Sequence, residues 1–229
     1  MSTGTIYFTF PIAIFKDAFR DIKKCCNNAL LYAAYELTTE MESGTDEEMM
    51  EAAAGELEII FGDYEIAYEA GEELYDEHNG TPMTSISSQI LFDYKNEKTE
   101  FEIACFLGFA AFRSILQTKP YCKTNKAHIH ARMCGYASVK TLPKELPEIE
   151  QKYAARYHMD KVIRHLELNW YLKTFSNHTR GIYFGFDKTS LEALALVNEQ
   201  AKKKTKEAQL KQAKADALAK AKTSLNGSK

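Results

Sequence analysis

The side chains best suited to chemistry are Cys122, His128, His130 and Cys134, whose spacing, C-x5-H-x-H-x3-C, supplies the ligand types that zinc takes. Structural zinc sites draw on pairs nearer C-x2-4-C or H-x3-5-H, and on one helix His128 and His130 point in different directions. No metal is expected there. The adjacent Cys25 and Cys26 have no nearby His and Asp to activate a thiolate, so they read as residues packed along a helix. Glu47, Glu48, Glu51, Glu56 and Glu58 are of the type used in acid/base or metal chemistry, but so dense a run reads as a solvated face. The chain has no G-x-x-x-x-G-K-[ST] loop, no G-x-G-x-x-G, no H-E-x-x-H and no G-x-S-x-G. We therefore expect no catalytic residue, no cofactor and no enzyme.

What remains is electrostatic. Residues 1–110 hold 6 Lys/Arg against 22 Asp/Glu, a balance of -16, whereas residues 111–229 hold 23 against 10, a balance of +13. A basic half suited to a polyanion and an acidic half suited to a protein partner follow from that split; the alternative is that the halves attract each other. The 229 residues, 45% of them hydrophobic and 12% aromatic, suffice for one large domain or two small ones. No run approaches the roughly 18 apolar residues of a membrane helix, and the first residues lack a signal-peptide pattern. With an odd number of cysteines, two of them adjacent, reduced thiols and a cytoplasmic location are expected, with no membrane.

The elements that must position these groups follow from periodicity. Thr5-Ile-Tyr-Phe-Thr-Phe-Pro11 is a strand or extended arm ended by its proline. Over residues 12–37 the apolar positions, among them Ile14, Phe15, Ala18, Ile22, Cys26, Leu30 and Ala33, recur every three or four residues and predict an amphipathic helix. If that stripe is exposed it favours a homodimer; a buried stripe reads identically. Thr45 or Asp46 caps an acidic helix reaching about residue 75, with Gly55 or Gly62 as a point where it can be interrupted. Residues 85–94 read as a short helix or connector. From Thr99 the run through Leu116 is apolar on almost every side, the mark of a centrally buried helix. Thr124 or Asn125 caps a short helix to about Met133, stopped by Gly135, and Pro143 and Pro147 bracket a linker. Residues 148–155 and 159–168 read as further helices that either join or meet at a turn near Tyr157-His158. Aromatic runs at 170–175 and 182–186 around the turn-rich Ser176-Asn-His-Thr-Arg-Gly181 predict a β-hairpin. A Lys/Ala-rich helix over 190–223, with Thr189 and Glu192 forming a capping box, would reach roughly 50 Å.

The order from residue 100 to 186, helix, helix, possible extra helix, helix, hairpin, resembles the winged helix-turn-helix family. The most specific likeness is Tyr157-His-Met-Asp-Lys-Val-Ile-Arg-His-Leu-Glu-Leu-Asn-Trp170 followed by Leu172-Lys-Thr-Phe, which looks like the recognition helix and first wing strand of phage and bacterial regulators and replication initiators. The resemblance implies a recognition helix in the major groove of double-stranded DNA and a wing against the backbone or minor groove. Met159, Val162, Ile163, Leu166 and Trp170 would face inward, leaving Asp160, Lys161, Arg164 and His165 outward. Lys161, Arg164 and His165 become the groove readers; Lys173, Asn177, His178, Thr179 and Arg180 belong to the wing. A second register would start the recognition helix at Ser138 to Leu142, with Ala131 and Gly135 in the Ala-x-x-x-Gly positions; it puts His130 where an apolar residue is usual, and Pro143 would stop it after one turn. The segment reads better as a supporting helix offering Lys123, Lys126 and Arg132 to phosphates. The expected fold is mainly α with a small β-hairpin: an acidic helical module (1–95), a winged-helix domain (96–187) and a Lys/Ala-rich helical tail (188–229). The expected function is DNA binding in transcription regulation or replication initiation of a phage or mobile element, with a protein-interaction module built on the acidic half as the alternative.

Overall fold

Alternation decides the first element. In β1 (Tyr7–Pro11) Phe8 and Phe10 are fully buried while Tyr7 and Thr9 face outward. The computed structural model describes residues 6–176, 181–186 and 191–226. β1 pairs antiparallel with β2 (Met83–Ser87), Phe8 standing opposite Ile86. Part of the expected helix or connector at 85–94 is therefore a strand, and only α4 (Ser88–Asp93) is helical there.

After a 3-10 turn at Ile12–Phe15, helix α1 (Ala18–Thr38) buries Ile22, Cys25, Cys26, Ala29, Leu30 and Ala33, so its apolar stripe is covered within the chain. The helix breaks at Asp21 (φ -153°, ψ 80°), whose carboxylate accepts from the Lys24 amide at 2.8 Å and caps the continuation. The acidic stretch forms two helices, α2 (Asp46–Glu56) and α3 (Tyr64–His78), parted where Glu58 takes a φ of 55°. Thr45 and Glu48 close a capping box on α2, and Asp63 caps α3. Met50 and Ala53 of α2 and Ala67 of α3 pack with Ala34 of α1 in a small second core.

Helix α5 (Glu100–Leu116), started by a Thr99–Glu102 capping box, is the central element, in contact with α1, β2, α6 (Lys126–Met133) and α8 (Arg156–Asn169). The short α7 (Glu148–Ala154) joins α8 directly. Between α5 and α6 runs β3 (Cys122–Thr124), a strand the apolar pattern does not announce. It pairs with β5 (Ile182–Gly185), which also pairs with β4 (Lys173–Phe175), giving an antiparallel sheet of order β3-β5-β4. β4 starts only at Lys173, because Tyr171 just before it has a φ of 56°. The second register fails sterically as expected from Pro143: Val139–Thr141 make a single 3-10 turn and no recognition-length helix.

Phe8, Phe15, Ile22, Phe106, Met159, Leu166 and Phe184 belong to one core. The chain divides into two compact units, residues 1–187 and 188–229, so the boundary expected at 95/96 falls inside the first unit. The described residues of the second unit form one helix, α9 (Leu191–Asn226), about 54 Å long at 1.5 Å per residue. Thr189, its expected cap, lies outside the described residues. Among the described residues no helix is long and apolar enough to cross a membrane.

Candidate nucleic-acid interface

Helix α8 is held by its apolar face. Met159, Val162, Ile163 and Leu166 are buried, and Trp170 just beyond its end is half-buried against Phe109 and Tyr94. The approach of α8 to α5 is set at Gly108: a Cβ there would lie 2.7 Å from Val162 Cγ1 and 3.3 Å from Leu166 Cδ1. Thr174 of β4 donates to the Glu167 carboxylate, which ties the first hairpin strand to the same helix.

The opposite face carries the expected outward residues. Lys161 is exposed, its ammonium 4.5 Å from the centre of the Tyr157 ring. Arg164 is exposed and only loosely paired, 3.9 Å from Glu167. His165 is half-buried, edge-on to Phe101 at 5.5 Å, with Asn169 at 3.3 Å from its Nδ1. Asp160 is engaged by Lys126 of α6 and, at 3.5 Å, by Arg156, so Lys126 reaches this face but is not free there.

The alternation of the sheet places Lys123 of β3 and Lys173 of β4 on one face, together with Tyr183 and Phe175, opposite the core-facing Phe184. Lys123 lies 4.9 Å from the centre of the Tyr183 ring, and Lys173 is exposed. Arg132 is directed elsewhere: its guanidinium donates to Ser114 Oγ at 3.1 Å and approaches His128 Nε2 at 3.4 Å, and burial lowers its pKa. It is half-buried, on the side of α6 that meets Ser114 of α5. Asn177, His178, Thr179 and Arg180 lie outside the described residues.

Three exposed apolar residues flank these cations without being expected from the sequence: Tyr157 (64% exposed), Leu168 (66%) and Phe101 at the start of α5. The signal was present, since Tyr157 stands four residues before Lys161 and Leu168 four after Arg164, so both share the cations' side of the helix.

The residues weighed for metal or thiol chemistry are occupied structurally. His130 is buried, with its Nε2 2.8 Å from the Glu150 carbonyl oxygen and 3.5 Å from Cys134 Sγ. Burial pushes the Cys134 thiol up, and pushes Cys25 and Cys26 up to about 12, so these thiols stay protonated. Among the described residues no group of three or more His, Cys, Asp and Glu side chains is placed to hold a metal ion.

No protein-family model, no curated protein and no solved structure matches the chain.

Proposed function

We propose that the protein binds double-stranded DNA as a winged helix does, with α8 in the major groove and the β4–β5 hairpin beside the sugar-phosphate backbone. The observation that carries this reading is the outward face of α8, where Lys161, Arg164 and His165 are displayed with Tyr157 and Leu168 while the other face is locked into the core. The element order supports it as well: α5, α6, the short α7, α8 and the hairpin follow one another, and β3 joins the hairpin's sheet to the chain between α5 and α6. In such a complex the cations neutralise phosphates, Arg164 and Lys161 reach guanine edges, and Leu168 suits a thymine methyl group. A role as transcription regulator or replication-initiation factor of a phage or mobile element extends the reading through the family resemblance.

The test uses the full chain, since one core runs from Phe8 to Phe184. In fluorescence anisotropy with a mixed-sequence duplex, log K should fall linearly with log salt at about 0.9 per phosphate contacted. K161A/R164A should weaken binding and lower that slope. A chain that shows no salt-sensitive affinity refutes the reading.

A second reading has its own observation. Ile60 is 90% exposed and Ile66 64%, amid the carboxylates of α2, α3 and their link. An apolar centre rimmed with acids suits a basic protein surface, and I60S/I66S would abolish such an interaction while leaving DNA affinity unchanged.

A further inference from the structure

The first 110 residues contain only six cations, and all of them fall in two short segments: Lys16, Arg20, Lys23 and Lys24 at the start of α1, and Lys95 and Lys98 between α4 and α5. The fold brings these segments together. Arg20, Lys23, Lys95 and Lys98 line one open cleft of about 420 Å³, with Asp21 and Glu97 as its acids. Asp21 is engaged by the Lys24 amide, and Lys98 is paired with Asp93 at 2.8 Å. Arg20 and Lys23 are exposed and make no ion pair among the described residues, and Lys95 is half-buried with its ammonium over the Phe92 ring. In a region with a balance of -16, four cations around one cleft are a local reversal of sign.

The cleft adjoins the α8 face. Lys98 and Ile103 line it, while Phe101, between them in sequence, lines the surface formed with Tyr157, Lys161, Arg164 and His165. Only the first turn of α5 separates the two, and a helix is about 10 Å across. One DNA strand covers that distance with about three phosphates, at 3.4 Å each along the axis.

We propose that this cleft binds the sugar-phosphate backbone of the duplex that α8 reads, extending the interface beyond the winged-helix segment onto the start of α1. Arg20 and Lys23 supply direct phosphate contacts, Lys95 adds charge at the floor, and Lys98, already paired, shapes the wall. The inference rests on the DNA-binding reading.

The test is anisotropy of the full chain and of R20Q/K23Q/K95Q with a mixed-sequence duplex between about 50 and 200 mM salt. The variant should bind more weakly, with a slope of log K against log salt lower by about 2 to 3, at roughly 0.9 per phosphate lost. The charge-conserving R20K/K23R/K95R should keep the wild-type slope. If wild type binds with a steep slope and the neutral variant matches it, the cleft proposal is overturned and the α8 reading stands. If the charge-conserving variant loses the slope too, the effect is structural and the proposal is again overturned. If wild type does not bind, both readings fall.

Discussion

Replacing Gly108 by Ala tests the geometry that presents the α8 face. The new Cβ would meet Val162 Cγ1 at 2.7 Å and Leu166 Cδ1 at 3.3 Å, where carbon contacts are comfortable at roughly 3.5 to 4.0 Å. Val162 is fully buried, and a β-branched side chain on a helix has essentially one rotamer, so relief requires α8 to move outward. Overpacking of this kind costs about 1 to 3 kcal/mol, whereas Gly→Ala in a helix gains roughly 1 kcal/mol of propensity. The net loss is about 0 to 2 kcal/mol, which alone decides little. Val162→Ala removes the atom that clashes, so in its background Gly108→Ala should be less costly by about 1 to 2 kcal/mol. Urea unfolding of the four proteins, followed by far-UV circular dichroism, measures that coupling. A coupling under about 0.3 kcal/mol, or a G108A protein stabilised by the full propensity gain, would refute the close α5–α8 approach.

Burial lowers the pKa of His78, and burial followed by the Arg132 charge lowers that of His128. The unfolded chain takes these protons first, so their stability is fully present above about pH 6.5 and is lost as pH falls through that value toward the lower folded pKa values. Thermal unfolding across this range should show the decline, and His128→Gln should flatten part of it; an unchanged profile counts against the burial argument. Thr124 Oγ1 is buried with no hydrogen-bond partner among the described residues, so Thr124→Val should stabilise the protein by about 1 kcal/mol in urea unfolding, and destabilisation would show that the hydroxyl is satisfied. Lys202, Lys203, Lys204 and Lys206 are exposed on α9, so changing all four to Gln should leave the melting temperature unchanged while lowering the salt slope of DNA binding by up to about 3.6. An unaltered slope would exclude the tail from the interface.

The central helix was legible because its apolar residues cover nearly every side, and the inward set of α8 because Met159, Val162, Ile163 and Leu166 keep helical spacing. β2 and β3 were not. Cys122–Thr124 is too short for alternation to emerge, and its strand character comes from pairing with β5, distant in sequence. Met83–Ser87 likewise extends because β1 lies beside it, and Ser85 and Ser87 do not announce a strand. The charge of Arg132 offers it to phosphates, but which side of α6 meets α5 is a tertiary fact, and Ser114 is what it meets. The basic cleft was hidden for the same reason: the segments at residues 20 and 95 carry unremarkable charges singly, and only the fold makes them neighbours.

With DNA bound as proposed, charge asymmetry by halves would misplace the division that matters. α1 spans both regions: Arg20 and Lys23 line the basic cleft near its start, whereas Ala34 and Tyr35 near its end pack against Met50 of α2 and Tyr68 of α3. From Lys23, beyond the break at Asp21, to Tyr35 is about 18 Å at 1.5 Å per residue, more than two Debye lengths at physiological salt, roughly 8 Å each. A phosphate held at Lys23 would thus be screened from the α2 carboxylates, which would act on it far less than their number suggests. Neutralising Glu47 and Glu51 with Gln should leave DNA affinity at physiological salt unchanged in anisotropy, although it removes two charges of the dominant sign. Tighter binding by that variant would mean that the acidic helices reach the duplex, and the line between the two surfaces would have to be redrawn closer to the start of α1.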